Sequence, residues 1–385
     1  MTEREKQAVN YLRAATAELI REQIAFAEIA CPDYRASQRA EHLIRAWCEA
    51  GLSPKRDKAG NVVALRRGAA PRTCPTLILV AHMDSVFYNV KDIRVRRRGR
   101  ILYAPGISDN AAGVANLILL ARALSRFAVR TAGDILFVGS VGEEGEGGLK
   151  GMRHFFRANR FANALFISID GGSPGGITRK ALASWSPKIV VRGPGGHSYS
   201  NFGRPNPVHV LARFIAKVTT LSADRDRNVA YNANVISGGT AVNVIPDEAR
   251  VTLNMRSSDV RVLARLKKSA LRFLGEAREE ELAWATSDKS LEVTYTALAR
   301  PGGETPEDHP LVRAMTAAVK AEGITPRFPV ISTDANMPMS LGIPAINVSA
   351  GGTAGNVHST KEWHDTTGRT KDLAALARAV FALVG

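Results

Sequence analysis

Apolar positions along this chain follow two rhythms. Between about 4 and 29 they recur at helical spacing, with Leu12, Ala15, Leu19 and Ile20 on the inner face. A second helix is expected over 36–50, ended by Gly51. Thr76–Ala81 (TLILVA) is instead a short unbroken apolar run, as a strand buried on both faces requires. The pattern then predicts a helix over 110–127, a strand over 134–140, a helix over 149–157 and a strand over 164–169. Strands alternating with helices predict an α/β fold with a mostly parallel sheet flanked by helices.

The rhythm changes after Asp170. Residues 171–176 are rich in Gly, Ser and Pro and read as a crossing. Next come a strand over 185–192, a helix over 207–221, strands over 229–237 and 248–256, a helix over 259–282 and a strand over 291–298. This β-α-β-β-α-β order is that of a ferredoxin-like α+β domain. ARPGGETPED at 299–308 reads as the return linker. A helix near 310–322, a strand over 344–348 and a terminal helix over 371–383 resume the first style. The expected organisation is one α/β domain, 1–180 with 301–385, interrupted by an α+β domain at 181–300.

Composition narrows the class. Of 385 residues, 45% are hydrophobic and 23% charged, which excludes a disordered chain. No apolar stretch is long enough to span a membrane, and MTEREKQAVN lacks the apolar region of a secretory signal. A cytoplasmic protein without a membrane partner is expected. Cys31, Cys48 and Cys74 form neither a disulfide framework nor a metal-spaced set.

The net charge of +16 raises nucleic acid as a partner. The densest basic cluster, RVRRRGR at 94–100, places Arg94, Arg96, Arg98 and Arg100 at period two, as an exposed hairpin face does. No helix-turn-helix, zinc-finger or RNA-binding pattern accompanies it, and aromatics are only 6%. A basic nucleic-acid-binding protein remains the rival from another class, and it is disfavoured.

Acid and imidazole groups follow the predicted strands directly. His82 and Asp84 follow TLILVA, Asp109 ends the turn PGISD, Glu143 and Glu144 follow DILFVGS, Asp170 follows ALFISI, and His358 lies in a Gly-rich segment after AINVS. Open α/β sheets bind ligands at the carboxyl ends of their strands. Each residue alone has an ordinary explanation: Asp109 as a helix cap, the Glu pair as solvated, Asp170 as a turn former, His358 as a loop residue. Together they suit a divalent metal pair held by carboxylate and imidazole.

AHMDSV, PGISDNAAGV, VGEEGEGGLKG, ISIDGG, GPGGHS, TAVNVIP, NMRSSD and NVHSTKEW, in that order, resemble the motifs of the M20 metallopeptidases from about 75 to 366. The nearest flavour is the tripeptide aminopeptidase, or peptidase T-like, branch. The resemblance implies a catalytic domain with an inserted lid or dimerisation domain, and a homodimer or higher homo-oligomer formed through it. It implies two divalent ions, zinc first, with manganese or cobalt as alternatives. His82 and Asp170 would hold one ion, Glu144 and His358 the other, and Asp109 would bridge them, with a cis peptide at Asp109–Asn110. Asp84 would hydrogen-bond the ligand imidazole of His82, and Glu143 would be the general base. His197 would stabilise the oxyanion from the partner subunit, while Asn243 and Arg256 would hold a small-molecule or short-peptide substrate by its carboxylate. Asp at position 170 goes with aminopeptidase-type members. The expected activity is amide hydrolysis, foremost by an aminopeptidase on short peptides; the alternative is hydrolysis of a non-peptide C–N bond by a deacylase or a deaminase of an amino-substituted acid.

Overall fold

In the computed structural model, which describes residues 1–71, 73–223 and 228–385, the chain divides into two compact units. One is Met1–Ala181 with Glu304–Gly385, the other Leu182–Gly303.

The first unit is built on a sheet whose order, among the described residues, is Lys55–Arg56, Val62–Arg66, Ile135–Ser140, Thr76–His82, Ala164–Ile169, Ala345–Val348, Ile177–Thr178. The four strands from Ile135–Ser140 to Ala345–Val348 run parallel. The flanking strands on both sides are antiparallel. Side chains alternate across a strand, so an unbroken apolar run must feed two cores. Leu77, Leu79 and Ala81 face one core with the helices Glu3–Ala14, Thr16–Ala27, Ala111–Arg126 and Arg369–Val384. Ile78 and Val80 face the other, with Phe155, Phe156, Phe166 and Met339. This is the predicted α/β arrangement with its mostly parallel sheet.

The first predicted helix is two. Thr2 caps Glu3–Ala14 through a reciprocal pairing with Glu5, and the chain breaks at Ala15 (ψ 24) before Thr16–Ala27. No local sequence signal accounts for the break. A second, outer sheet escaped prediction: Thr353–Gly355, Trp363–Asp365, Ile101–Tyr103, Arg96–Arg98. Pairing of Trp363 with Tyr103 lays the segment that follows His358 beside the segment that leads to Asp109. Arg96–Arg98 lie exposed on its outer hairpin, as expected, but Arg94 and Arg100 fall outside that three-residue strand and Arg97 is exposed with its neighbours, so the expected alternation along one strand is not there.

The second unit has the sheet order Ala230–Gly238, Glu248–Ser257, Ala183–Arg192, Glu292–Arg300, antiparallel throughout. Trp185, Ile189 and Val191 alternate inward with Ala249, Val251, Leu253 and Met255, against the helices Pro207–Val218 and Val260–Trp284. Asn206 and Asp259 cap those helices. This is the predicted ferredoxin-like order. A short hairpin pairs Gly196–His197 with Val244–Ile245.

A buried polar network joins the helices of the first unit. Arg369 donates to Gln23, to Ala112 O at 2.6 Å and to Asn116 at 3.0 Å. Gln23 Nε2 donates to Ile107 O at 2.6 Å and to His364 Nδ1 at 2.7 Å, while His364 Nε2 meets Gly351 O at 2.8 Å. This pattern fixes the neutral imidazole with its proton on Nε2. Burial, followed by the Arg369 charge, lowers the His364 pKa to about 3.

The unfolded imidazole binds a proton below pH ~6.5 and the folded one does not, so stability is complete above that pH and falls as pH drops toward 3. Wild type should lose roughly 1.5 kcal/mol more than His364→Gln between pH 6.5 and 5, by urea unfolding in chelator. Equal pH slopes would contradict this assignment.

Candidate metal centre

The three parallel strands Ile135–Ser140, Thr76–His82 and Ala164–Ile169 end side by side. His82 closes one, Asp170 follows another, and Glu143 and Glu144 follow the third. Asp109 comes from the turn before Ala111–Arg126, and its peptide to Asn110 is cis. Asn110 Nδ2 donates to Ile169 O at 2.9 Å, which ties this turn to the strand end that carries Asp170. Asn347 Nδ2 holds Asp170 O at 3.1 Å. His358 arrives on the loop between Thr353–Gly355 and Trp363–Asp365, with a left-handed backbone (φ 63). That state costs a non-glycine residue on the order of 1–3 kcal/mol.

The Asp109 carboxylate lies between two imidazoles. Oδ1 is 3.0 Å from His82 Nε2, and Oδ2 is 3.0 Å from His358 Nε2. His358 Nε2 is also 3.1 Å from Glu144 Oε1, and His82 Nε2 is 3.9 Å from Asp170 Oδ2. His82, Asp84, Glu143 and Glu144 are buried, whereas the His358 side chain is 55% exposed. Among the described residues, three donor groups close to within 4.8 Å: His82 with Asp109 and Asp170, Asp109 with Glu144 and His358, and His82 with Glu143 and Glu144. The first two share Asp109.

Asp84 is placed differently from its expected contact. His82 Nδ1 lies 3.1 Å from the backbone carbonyl of Asp84, while the carboxylate is 3.7 Å away. That carboxylate instead accepts the backbone N–H of Glu143 at 3.2 Å and of Glu144 at 2.9 Å. A side chain two residues beyond the strand end reaches the next strand's loop more readily than its own ring neighbour.

The charge balance reflects this crowding. Burial, then Asp109, pushes Glu144 up to about 8 and Asp170 well above the usual carboxylate range. Burial acts to raise Asp109 too, but the hydrogen bond with His358 and the close approach of the His82 ring outweigh it and hold the carboxyl below its usual range. Burial alone would lower His82, yet Asp109, Asp170 and Asp84 raise it well above 6.5. Hydrogen bonds to Asp109 and Glu144 raise His358 to about 11. His82 Nε2 is buried and forms no hydrogen bond of sound geometry. A nitrogen so placed among carboxylates, with protons needed to neutralise the rest, fits a donor set for divalent cations.

The second unit holds the remaining candidates. His197 Nδ1 accepts from the backbone N–H groups of Tyr199 at 3.2 Å and Ser200 at 3.4 Å, which leaves the ring proton on the exposed Nε2. Asn243 O accepts from Ser198 N at 2.9 Å, so His197 and Asn243 lie together on the short hairpin. Arg256 is elsewhere, exposed near the far end of Glu248–Ser257 and bonded to Asn254 at 2.8 Å. Asp334 was missed from sequence. It is buried, bonded to Ser140, and raised to about 7 by burial and then by Glu143; its ISTDAN segment follows no strong strand and gave no signal.

A carboxylate–imidazole cluster at the carboxyl ends of a parallel sheet, in a chain interrupted by an α+β unit, is suited to divalent metal ions, and the family match makes the class that of metal-dependent hydrolases. The chain belongs to peptidase family M20/M25/M40, whose sequence model matches residues 78–384. A LysW-lysine hydrolase of Deinococcus radiodurans is 26% identical over 382 residues, covering 96% of this chain and 98% of the relative. The fold is that of the aminopeptidase PepT from Bacillus cereus (TM-score 0.77, 20% identity, 96% of this chain and 98% of that one). A tripeptidase from Staphylococcus aureus shares it (TM-score 0.78, 20% identity, 96% and 97%).

Because the two oxygens of Asp109 face His82 and His358 separately, Asp109→Ala should lose more bound metal than His82→Ala or His358→Ala, by elemental analysis of dialysed protein. Equal metal content in all three variants would contradict a shared carboxylate.

Proposed function

We propose that the protein hydrolyses an amide C–N bond in a small carboxylate-bearing substrate, acting as an aminopeptidase on short peptides. The observation that carries this reading is the Asp109 carboxylate, whose two oxygens face His82 and His358 separately. His82 and Asp170 would hold one ion, Glu144 and His358 the other, with Asp109 between. Zinc suits this imidazole and carboxylate set, with manganese or cobalt as alternatives. When bound, such a pair supplies Lewis acidity, acidifying water and polarising the scissile carbonyl.

The chain's own groups do the rest. Glu143 takes the proton of the attacking water and returns it to the leaving nitrogen. Asp84 fixes the backbone of Glu143 and Glu144 and so aims both side chains. His197, with Nδ1 engaged as an acceptor, offers Nε2–H to the developing oxyanion. Asn243 and Arg256 hold the substrate, Arg256 by a fork to its carboxylate.

Glu248 and Arg256 stand eight residues apart on one strand, roughly 27 Å at ~3.4 Å per residue. The His197–Asn243 hairpin adjoins the Glu248 end, since Gly193 N bonds Asp247 O. One copy therefore holds Arg256 and His197 toward opposite ends of its sheet, which supports a homodimer or higher oligomer with His197 supplied by the partner. A second reading, hydrolysis of a non-peptide C–N bond by a deacylase, is favoured by the likeness to a succinyl-diaminopimelate desuccinylase of Ruegeria pomeroyi, 24% identical over 266 residues.

Glu143→Gln should keep fold and metal while kcat falls ~10²–10⁴-fold. Retained metal with nearly unchanged kcat would contradict the role of Glu143. Mixing inactive Glu143→Gln protein with inactive His197→Ala protein should restore activity, because one site of each hybrid then has both groups intact. Proven hybrids without recovery would rule out a shared site.

A further inference from the structure

The loop 106–109 turns the backbone N–H groups of Gly106, Ser108 and Asp109 onto one carboxylate. Glu362 Oε2 accepts from Gly106 N at 2.9 Å. Its Oε1 accepts from Ser108 N at 2.8 Å, Ser108 Oγ at 2.6 Å and Asp109 N at 3.1 Å. Glu362 is 0% exposed. Gly106 has φ +71, a backbone state that favours glycine, and a Cβ there would come within 3.2 Å of Ser85 Oγ. Three of the turn's four N–H groups, those of Gly106, Ser108 and Asp109, converge here on one anion, which is the protein's own side chain, while that of Ile107 donates to Ala104 O.

Glu362 also lies four residues after His358, and its backbone carbonyl accepts from Ala104 N at 3.2 Å. The residue therefore fastens the segment bearing His358 to the turn bearing Asp109. Those two side chains meet at 3.0 Å.

We propose that Glu362 is a positioning residue for the metal centre. Its carboxylate fixes the turn that presents Asp109 and couples that turn to His358, so it sets metal affinity without being a ligand. This rests on reading the cluster as a metal centre. Groups that orient metal ligands typically cost ~10–100-fold in metal affinity or activity when lost. Glu362→Gln keeps shape and packing, but its amide has one acceptor oxygen and one NH₂. One arm of the clamp then sets N–H against N–H.

Calorimetric titration of zinc into chelator-stripped protein tests this. Wild type should bind zinc, and folded Glu362→Gln should bind it ~10–100-fold more weakly. Ser108→Ala, which removes only the hydroxyl bond, should show a smaller loss in the same direction. Leu274→Ala, a core truncation in the other unit, should lower the melting temperature and leave zinc affinity unchanged. Folded Glu362→Gln with wild-type affinity would overturn the proposal, as would a Leu274→Ala loss equal to that of Glu362→Gln. Where Glu362→Gln does not fold, Ser108→Ala decides, and wild-type affinity there overturns it. Wild-type protein that binds no zinc would overturn the metal-centre reading itself, a distinguishable result.

Discussion

Asp84, Asp109, Glu143, Glu144 and Asp170 converge around two imidazoles, and this crowding of like charge is the constraint on which the first unit is organised. Buried carboxylates cannot all remain ionised at such range without compensating positive charge. In the protein alone, His82 and His358 supply it, held well above their ordinary pKa by the acids around them. Divalent cations would supply it more fully and release the protons that Glu144 and Asp170 otherwise retain. The fold's task is to keep these groups together against their repulsion.

The parallel sheet does most of that work. Apolar strands buried on both faces anchor His82, Asp170 and the Glu143–Glu144 pair at adjacent ends, and the backbone fixes their spacing before any side chain acts. Asp109 and His358 come from outside the sheet and need other restraints. Asn110 ties the Asp109 turn to Ile169, Gln23 holds Ile107, and Glu362 gathers the N–H groups between. The outer sheet, through Trp363 and Tyr103, brings the His358 side of this arrangement into register. Both halves of the candidate site therefore depend on hydrogen bonds between segments far apart in sequence.

That division explains what was legible beforehand. Strands such as Thr76–His82 and Ala164–Ile169 announce themselves because two-sided burial demands unbroken apolar runs, and the residues at their ends stand out in consequence. The ferredoxin-like order was visible for the same reason, from the alternation in Ala183–Arg192 and Glu248–Ser257. The two- and three-residue strands of the outer sheet are too short to carry a pattern, and Ala15 gives no sign of the break it makes. Glu362 and Arg369 belong to residue types usually found on surfaces, and His364 to a type of only intermediate burial. Their burial is created by partners hundreds of positions away, so no local window contains the signal. Asp84 was noticed, but its partner was not, because a carboxylate near a ligand imidazole suggests the ring before the neighbouring backbone.

The central claim is that this cluster works as a metal-dependent amide-hydrolysing centre. Its most direct test is titration of metal-stripped protein with zinc, manganese or cobalt while mass spectrometry follows a mixed panel of tripeptides, N-acyl amino acids and aminobenzoate-type acids. The account predicts no turnover without metal, activity that rises with added metal and saturates at two ions per chain, and cleavage of a C–N bond in a carboxylate-bearing member of the panel. Turnover by the fully stripped protein at the same rate as the loaded one would contradict it.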